Sequence, residues 1–167
     1  MSGSILDQRK ILAVDDEKDV LDVLEEEITS SCVGCAIDKA TSYAEALKLL
    51  QSGAYDLIIL DIMGVRGFDL LDIAVKKNLR AVMLTAHALS PENLKRAYDT
   101  GARAYLPKER LKDIVPFLED ALKYDFESGW KRSYEALRDT FTTLWGRDWD
   151  KLEKVTGVKL PPGWSGN

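Results

Sequence analysis

Five short apolar runs, each followed by a longer amphipathic stretch, restrict this 167-residue chain to a narrow set of folds. The runs lie at residues 11–14, 36–40, 57–60, 81–85 and 104–106, the second weaker than the others. Between them the spacing turns helical. Val20, Leu21, Val23, Leu24 and Ile28 share one face, as do Ala44, Ala46, Leu47, Leu49 and Leu50, and 68–75 is again helical. Thr41 or Ser42 can cap the second helix, which stops at Gly53. Ser90-Pro91 supplies a cap with proline at the first helical position, that helix ends near Gly101, and a last one begins near Asp113. Strands apolar on both faces must be covered on both faces. The expected fold is therefore α/β: a five-stranded parallel sheet, doubly wound, between two layers of helices.

Such sheets hold ligands at the carboxyl ends of their strands. Here the first strand runs into Asp15-Asp16-Glu17, the third into Asp61, the fourth into Thr85-Ala86, and the fifth leads to Lys108. A cluster such as Asp-Asp-Glu alone is usually a set of charges favoured by a helix start. Polar groups at four strand ends call for a common purpose. Three acids on one edge repel one another unless a cation intervenes, and hard carboxylate oxygens suit Mg²⁺, which keeps its waters and favours phosphate oxygens. A hydroxyl and an ammonium beside such a metal are the parts that hold a phosphoryl group. One carboxylate is then the nucleophile that forms an acyl phosphate. Asp61 ends the most apolar strand, is best fixed, and is the expected acceptor.

The motifs "ILAVDDE", "YDLIILDI", "VMLTA" and "GARAYLPK" occur in order, and through them the chain resembles the receiver domain of two-component response regulators over residues 8–124. The resemblance implies a flavodoxin-like receiver fold in which Asp15 or Asp16 and Asp61 bind Mg²⁺, with the Met63 backbone carbonyl as a further ligand. It implies that Asp61 takes a phosphoryl group from a phosphohistidine on a sensor histidine kinase or phosphotransfer protein. Thr85 and Lys108 would contact the phosphate, and Tyr105 would be the aromatic that changes rotamer as Thr85 moves. A dianion that binds one of two states better is enough to shift such an element. Met63 and His87, each two residues beyond a site residue, flank the phosphoryl position in this family and are expected to tune its lifetime. His87 is also compatible with an exposed loop position.

Two departures from the family pattern bear on the site. The usual Asp-x-x-Met-Pro-x-x-x-Gly segment is shortened, since Asp61 reaches Gly67 about two residues early and the proline is missing. The family lysine usually precedes a proline; here Pro107 comes before Lys108 and Glu109 follows, an acid placed to compete for the ammonium. Neither change removes a reacting atom.

Charge divides the chain near residue 125. Residues 1–124 hold 16 basic and 21 acidic side chains, whereas 125–167 hold seven of each and all four tryptophans. The second stretch is expected to be a helical C-terminal extension of the receiver. Phe126, Trp130, Tyr134, Leu137, Phe141, Leu144 and Trp145 continue a helical stripe, with Gly129 as a weak point or break and Gly146 as an end. Asp148 can cap a short helix over 149–156, and the remainder reads as irregular. A stripe of this size folds back on the receiver, pairs with a second copy to give a homo-oligomer, or enters a partner's groove. Its zero net charge, and the chain's −5, argue against nucleic acid. No apolar run reaches the roughly 20 residues that span a bilayer, and the polar N-terminus is unlike a signal peptide, so a cytoplasmic, membrane-free protein is expected. Cys32 and Cys35 are expected to be two structural thiols, neither a redox pair nor half of a zinc site.

The expected function is a phosphoacceptor that promotes its own phosphorylation and dephosphorylation, not an enzyme with a separate substrate, and whose output is contact with a downstream protein. Two alternatives differ in class. An aspartyl-phosphate phosphatase of the dehalogenase type wants an acid two residues after the nucleophile, where Met63 stands. A transcription regulator acting through the tail would want a basic tail.

Overall fold

The computed structural model describes residues 3–86 and 90–146. His87 and the expected 149–156 helix, with its Asp148 cap, lie outside the described residues.

Five strands, β1 Lys10–Val14, β2 Ala36–Ala40, β3 Leu57–Asp61, β4 Arg80–Thr85 and β5 Ala104–Pro107, form one parallel sheet in the order β2-β1-β3-β4-β5. Every residue of β3 is buried, as a central strand covered on both faces requires. The connecting helices are α1 Lys18–Thr29, α2 Tyr43–Ser52, α3 Gly67–Lys76, α4 Pro91–Thr100 and α5 Ile114–Lys123, the last preceded by a 3₁₀ turn over Lys108–Asp113. Helices α1 and α5 pack together, while α2, α3 and α4 pack in series, the arrangement that right-handed crossovers produce. Ser42 is the residue that caps α2, accepting from the Glu45 N–H at 3.2 Å. Ser90 caps α4 in the same way, with Pro91 at its first position.

The extension differs in one respect from the expected run-on helix. Helix α5 stops at Lys123 and a separate helix, α6 Phe126–Trp145, begins after Asp125. The break falls at Tyr124-Asp125 and not at Gly129, which lies buried inside α6. Two interactions explain the shift. The Asp125 carboxylate accepts from the Ser128 N–H at 2.8 Å, a good N-cap. The Arg80 guanidinium, from β4, donates to the carbonyls of Ala121 and Leu122, each at 2.8 Å, and so takes up the end of α5. Gly146 ends α6, as expected.

The aromatic stripe folds back on the sheet and helices. Trp130, Tyr134, Leu137 and Phe141 are buried in the main core, and only Leu144 is exposed among the large apolar residues of α6. The helix lies against α5 and against β5, whose outer edge would otherwise offer free backbone groups to another chain. A second correction concerns the cysteines: the Val33-Gly34 turn brings Cys32 and Cys35 together, with Cα atoms 6.0 Å apart, and they are joined in a disulfide rather than left as thiols. No helix among the described residues is long and apolar enough to cross a membrane.

Removal of everything after Tyr124 takes away, among the described residues, four large buried apolar side chains, each contributing roughly 1.5–3 kcal/mol. The shortened chain is expected to melt at least about 5 °C lower with no change in oligomeric state by light scattering. An unchanged melting temperature, or a fall from dimer to monomer, would show that the stripe is covered in some other way.

Candidate functional site

Parallel register brings the strand ends level. Val14 pairs with Leu60, so Asp15 and Asp61 emerge side by side from β1 and β3. Asp61 pairs with Leu84 and Thr85 with Pro107, which places Thr85 and then Lys108 along the same edge. Asp15, Asp61 and Thr85 are buried, Asp15 at 1% and Asp61 at 4% exposure, whereas Asp16 faces water. One carboxylate oxygen from each of Asp15, Asp16 and Asp61 lies within 4.8 Å of the others.

Lys108 is the cation these acids share. Its Nζ stands 2.8 Å from Asp15 Oδ2, 3.4 Å from Asp61 Oδ1 and 3.7 Å from Glu17 Oε2. Glu109 is exposed and takes no part in these contacts, so the competition expected from it comes instead from Glu17. Pro107 precedes the lysine, and every peptide bond among the described residues is trans. Burial alone depresses the lysine's pKa, but its bond to Asp15 and the charge of Asp61 more than offset this and hold it above its ordinary value.

The acids respond in the opposite direction. Burial, and then the neighbouring charge of Asp15, push the Asp61 carboxyl up to about 6 even with Lys108 opposing. Burial also raises Asp15, against the pull of Lys108. Asp15 Oδ1 accepts from the Glu17 N–H at 2.9 Å. Its Oδ2 is fully buried and meets Lys108 Nζ at 2.8 Å as an ion pair, with no well-directed hydrogen bond. An under-coordinated buried oxygen beside two more carboxylates suits a hard cation; the cluster can hold a metal.

The shortened loop after Asp61 is closed by two glycines, Gly67, which the spacing had marked, and Gly64, which it had not. Gly64 has φ +83°, and a side chain there would strike the Asp16 carboxylate. Gly67 opens α3 so close to β3 that an added Cβ would collide with the Asp61 carbonyl oxygen. Its N–H donates to the Ile62 carbonyl at 3.1 Å, and Val65 is buried beneath the loop. The early glycine was therefore the sign of a tight closure. Met63, at the lip, is 54% exposed.

Tyr105 lies fully buried on β5, its hydroxyl accepting from the Ser90 N–H at 3.2 Å. Burial raises its pKa above the ordinary phenol value. Its ring faces Phe141 of α6, with centroids 6.5 Å apart, a neighbour not anticipated from sequence.

A five-stranded, doubly wound sheet with an acidic pocket and one lysine at its carboxyl edge defines the class of two-component receiver modules. The chain matches the response regulator receiver domain family over residues 11–117 and belongs to that family. It is 34% identical over 103 residues to the transcriptional regulatory protein CusR of Escherichia coli K12, a stretch covering 59% of this chain and 44% of CusR. The chain thus spans less than half the length of the curated relatives it matches. Among solved structures, the receiver domain of NtrX from Brucella abortus superposes with a TM-score of 0.55 at 29% identity, over 69% of this chain and 99% of that one. A two-component response regulator from Clostridium difficile gives 0.61 at 26%, over 69% and 96%. A CheY-like receiver domain from Methanospirillum hungatei gives 0.61 at 24%, over 74% and 98%, an identity that shows the fold alone.

The raised pKa of Asp61 carries a stability consequence. The folded state binds the Asp61 proton more tightly than the unfolded state, so stability falls as pH rises from 3.8 to about 6 and stays lower above that. This difference corresponds to at most about 3 kcal/mol, and about 1–2 kcal/mol after allowing for screening by water in the cleft. In metal-free buffer at pH 7, Asp61→Asn is expected to melt a few degrees above the parent. The gap should shrink as pH falls through about 6 and vanish near 4. A variant less stable than the parent at pH 7 would mean that the carboxylate is held favourably.

Proposed function

We propose that Asp61 is the phosphoryl acceptor of this receiver, that the reaction depends on Mg²⁺, and that residues 8–124 form the receiver unit with 125–167 as its helical extension. The observation that carries the reading is the meeting of Asp15, Asp16 and Asp61 within 4.8 Å, with Lys108 paired to Asp15 and Asp61. Asp15, Asp16 and Asp61 would hold the metal together with the Met63 backbone carbonyl, and the bound cation would neutralise charge on the incoming phosphoryl oxygens. An Asp61 carboxylate oxygen attacks phosphorus, the bond from phosphorus to the donor's nitrogen breaks, and the leaving nitrogen keeps the electron pair and takes a proton. Lys108 exchanges part of its pairing with Asp15 for a phosphoryl oxygen, and Thr85 donates its hydroxyl to another. Tyr105 then responds at the far side of β4.

The donor is a phosphohistidine on a sensor histidine kinase or phosphotransfer protein, and the output is contact with a downstream protein in the cytoplasm. Met63 stands at the lip, where it can hinder hydrolytic water, and His87 is assigned the companion tuning position. Met63 also occupies the place where a dehalogenase-type phosphatase would carry its general acid, which leaves that alternative without a proton donor.

Incubation with Mg²⁺ and phosphoramidate is expected to add one phosphoryl group by intact mass, and Asp61→Asn should abolish the addition. Full modification of the Asn variant would place the nucleophile elsewhere. Lys108→Ala removes the cation that competes for Asp15 and Asp61. Its Mg²⁺ affinity should therefore equal or exceed the parent's in a fluorescence or calorimetric titration, by up to about tenfold for about 1.4 kcal/mol of relieved pairing. A large loss of affinity would contradict this.

A further inference from the structure

Helix α6 is held at its two ends by contacts of different origin. Its first half is fastened to parts of the fold remote from the cleft. Arg80 clamps the α5 carbonyls at the corner, and the Trp130 indole N–H donates to the Ala102 carbonyl at 2.7 Å. Arg132 pairs with Asp120 at 3.0 Å. Phe126 and Trp130 pack on Tyr98 of α4, with centroids 5.0 and 5.3 Å away.

The second half is fastened to the segment that carries Lys108. Tyr105, three residues before the lysine, meets Phe141. Arg110, two residues after it, donates from Nη1 to Thr140 Oγ1 at 2.9 Å. The contacts flank the lysine in sequence and land on adjacent residues of α6, 140 and 141. Trp145 stacks on Phe141 at 4.7 Å and extends the same patch. Arg110 also sits where the 3₁₀ turn departs from helical geometry, at φ −98° and ψ 17°, so the turn has an irregular point at which the lysine's position can be passed on.

From this we infer that the second half of α6 reads the charge state of the cleft: phosphorylation of Asp61 draws Lys108 towards the phosphoryl group and loosens residues 137–145 from the Tyr105–Arg110 segment. Residues 126–134 stay in place. The inference rests on the acceptor role proposed for Asp61. It makes α6 an internal ligand of the cleft-bearing strand, one that favours the unmodified state. Coupling of this kind is reciprocal: whatever loosens the patch must favour occupation of the cleft.

The test uses the full chain with Mg²⁺ and beryllofluoride as a non-covalent phosphoryl mimic. Amides over 137–145 should exchange at least about fivefold faster on binding, the lower end of typical coupling, while those over 126–134 stay unchanged. Thr140→Val and Phe141→Leu, the first removing only a hydroxyl and the second keeping an apolar side chain in place, should each bind beryllofluoride about fivefold more tightly than the parent. Parent-like affinity in both variants, with unchanged exchange over 137–145, would overturn the inference while leaving the acceptor reading intact, provided that phosphoramidate still modifies Asp61. Slower exchange with weaker binding would overturn it too, by reversing the sign. A parent that neither binds beryllofluoride nor accepts a phosphoryl group would remove the acceptor reading, and the inference with it.

Discussion

Two buried carboxylates, Asp15 and Asp61, stand side by side at the end of a hydrophobic sheet, with one ammonium spread across them. Most features of the site follow from that repulsion. Burial, reinforced by that repulsion, lifts Asp61 towards neutrality, and one Asp15 oxygen has no directed hydrogen bond. The cluster therefore gains by taking up a cation and by passing Lys108 to a new anion. A site that were fully satisfied when empty would have little reason to bind either. The fold maintains the repulsion by rigidity: β1, β3 and β5 are locked in register, and Gly67 packs α3 directly onto the Asp61 backbone.

The same rigidity explains how a change at one edge of the sheet can be felt some distance away. Tyr105 and Lys108 lie three residues apart on β5 and the turn that follows it, so they respond as one short segment. Because β5 is an edge strand, its outer side needs a cover, and α6 supplies one from the chain itself. Covering the edge and contacting the lysine-bearing segment are two effects of one docking.

The central architecture was legible in the sequence because four of the five strands are compact apolar runs and each of those leads into a polar residue of the site. Asp15, Asp16, Asp61, Thr85 and Lys108 could be brought together on that basis before any distance was known. Features decided by contacts distant in sequence were not legible. The apolar stripe of α5 and α6 is nearly in phase, so the local Asp125 cap was easily passed over, and the contact that closes α5 comes from Arg80, over forty residues earlier. The pairing of Cys32 with Cys35 depends on how the turn after α1 is folded against the N-terminal segment, where the Gln8 N–H holds the Val33 carbonyl. The tightness at Gly67 was visible only as a shortened loop, because its cause is the backbone of Asp61.

The most direct test of the central claim is to locate the phosphoryl group. Borohydride reduction of the phosphoramidate-treated protein converts an aspartyl phosphate to homoserine, and peptide mapping then reads the position. The account predicts homoserine at residue 61 alone, dependent on Mg²⁺. Homoserine at residue 15 or 16, or an equal yield without the metal, would contradict it.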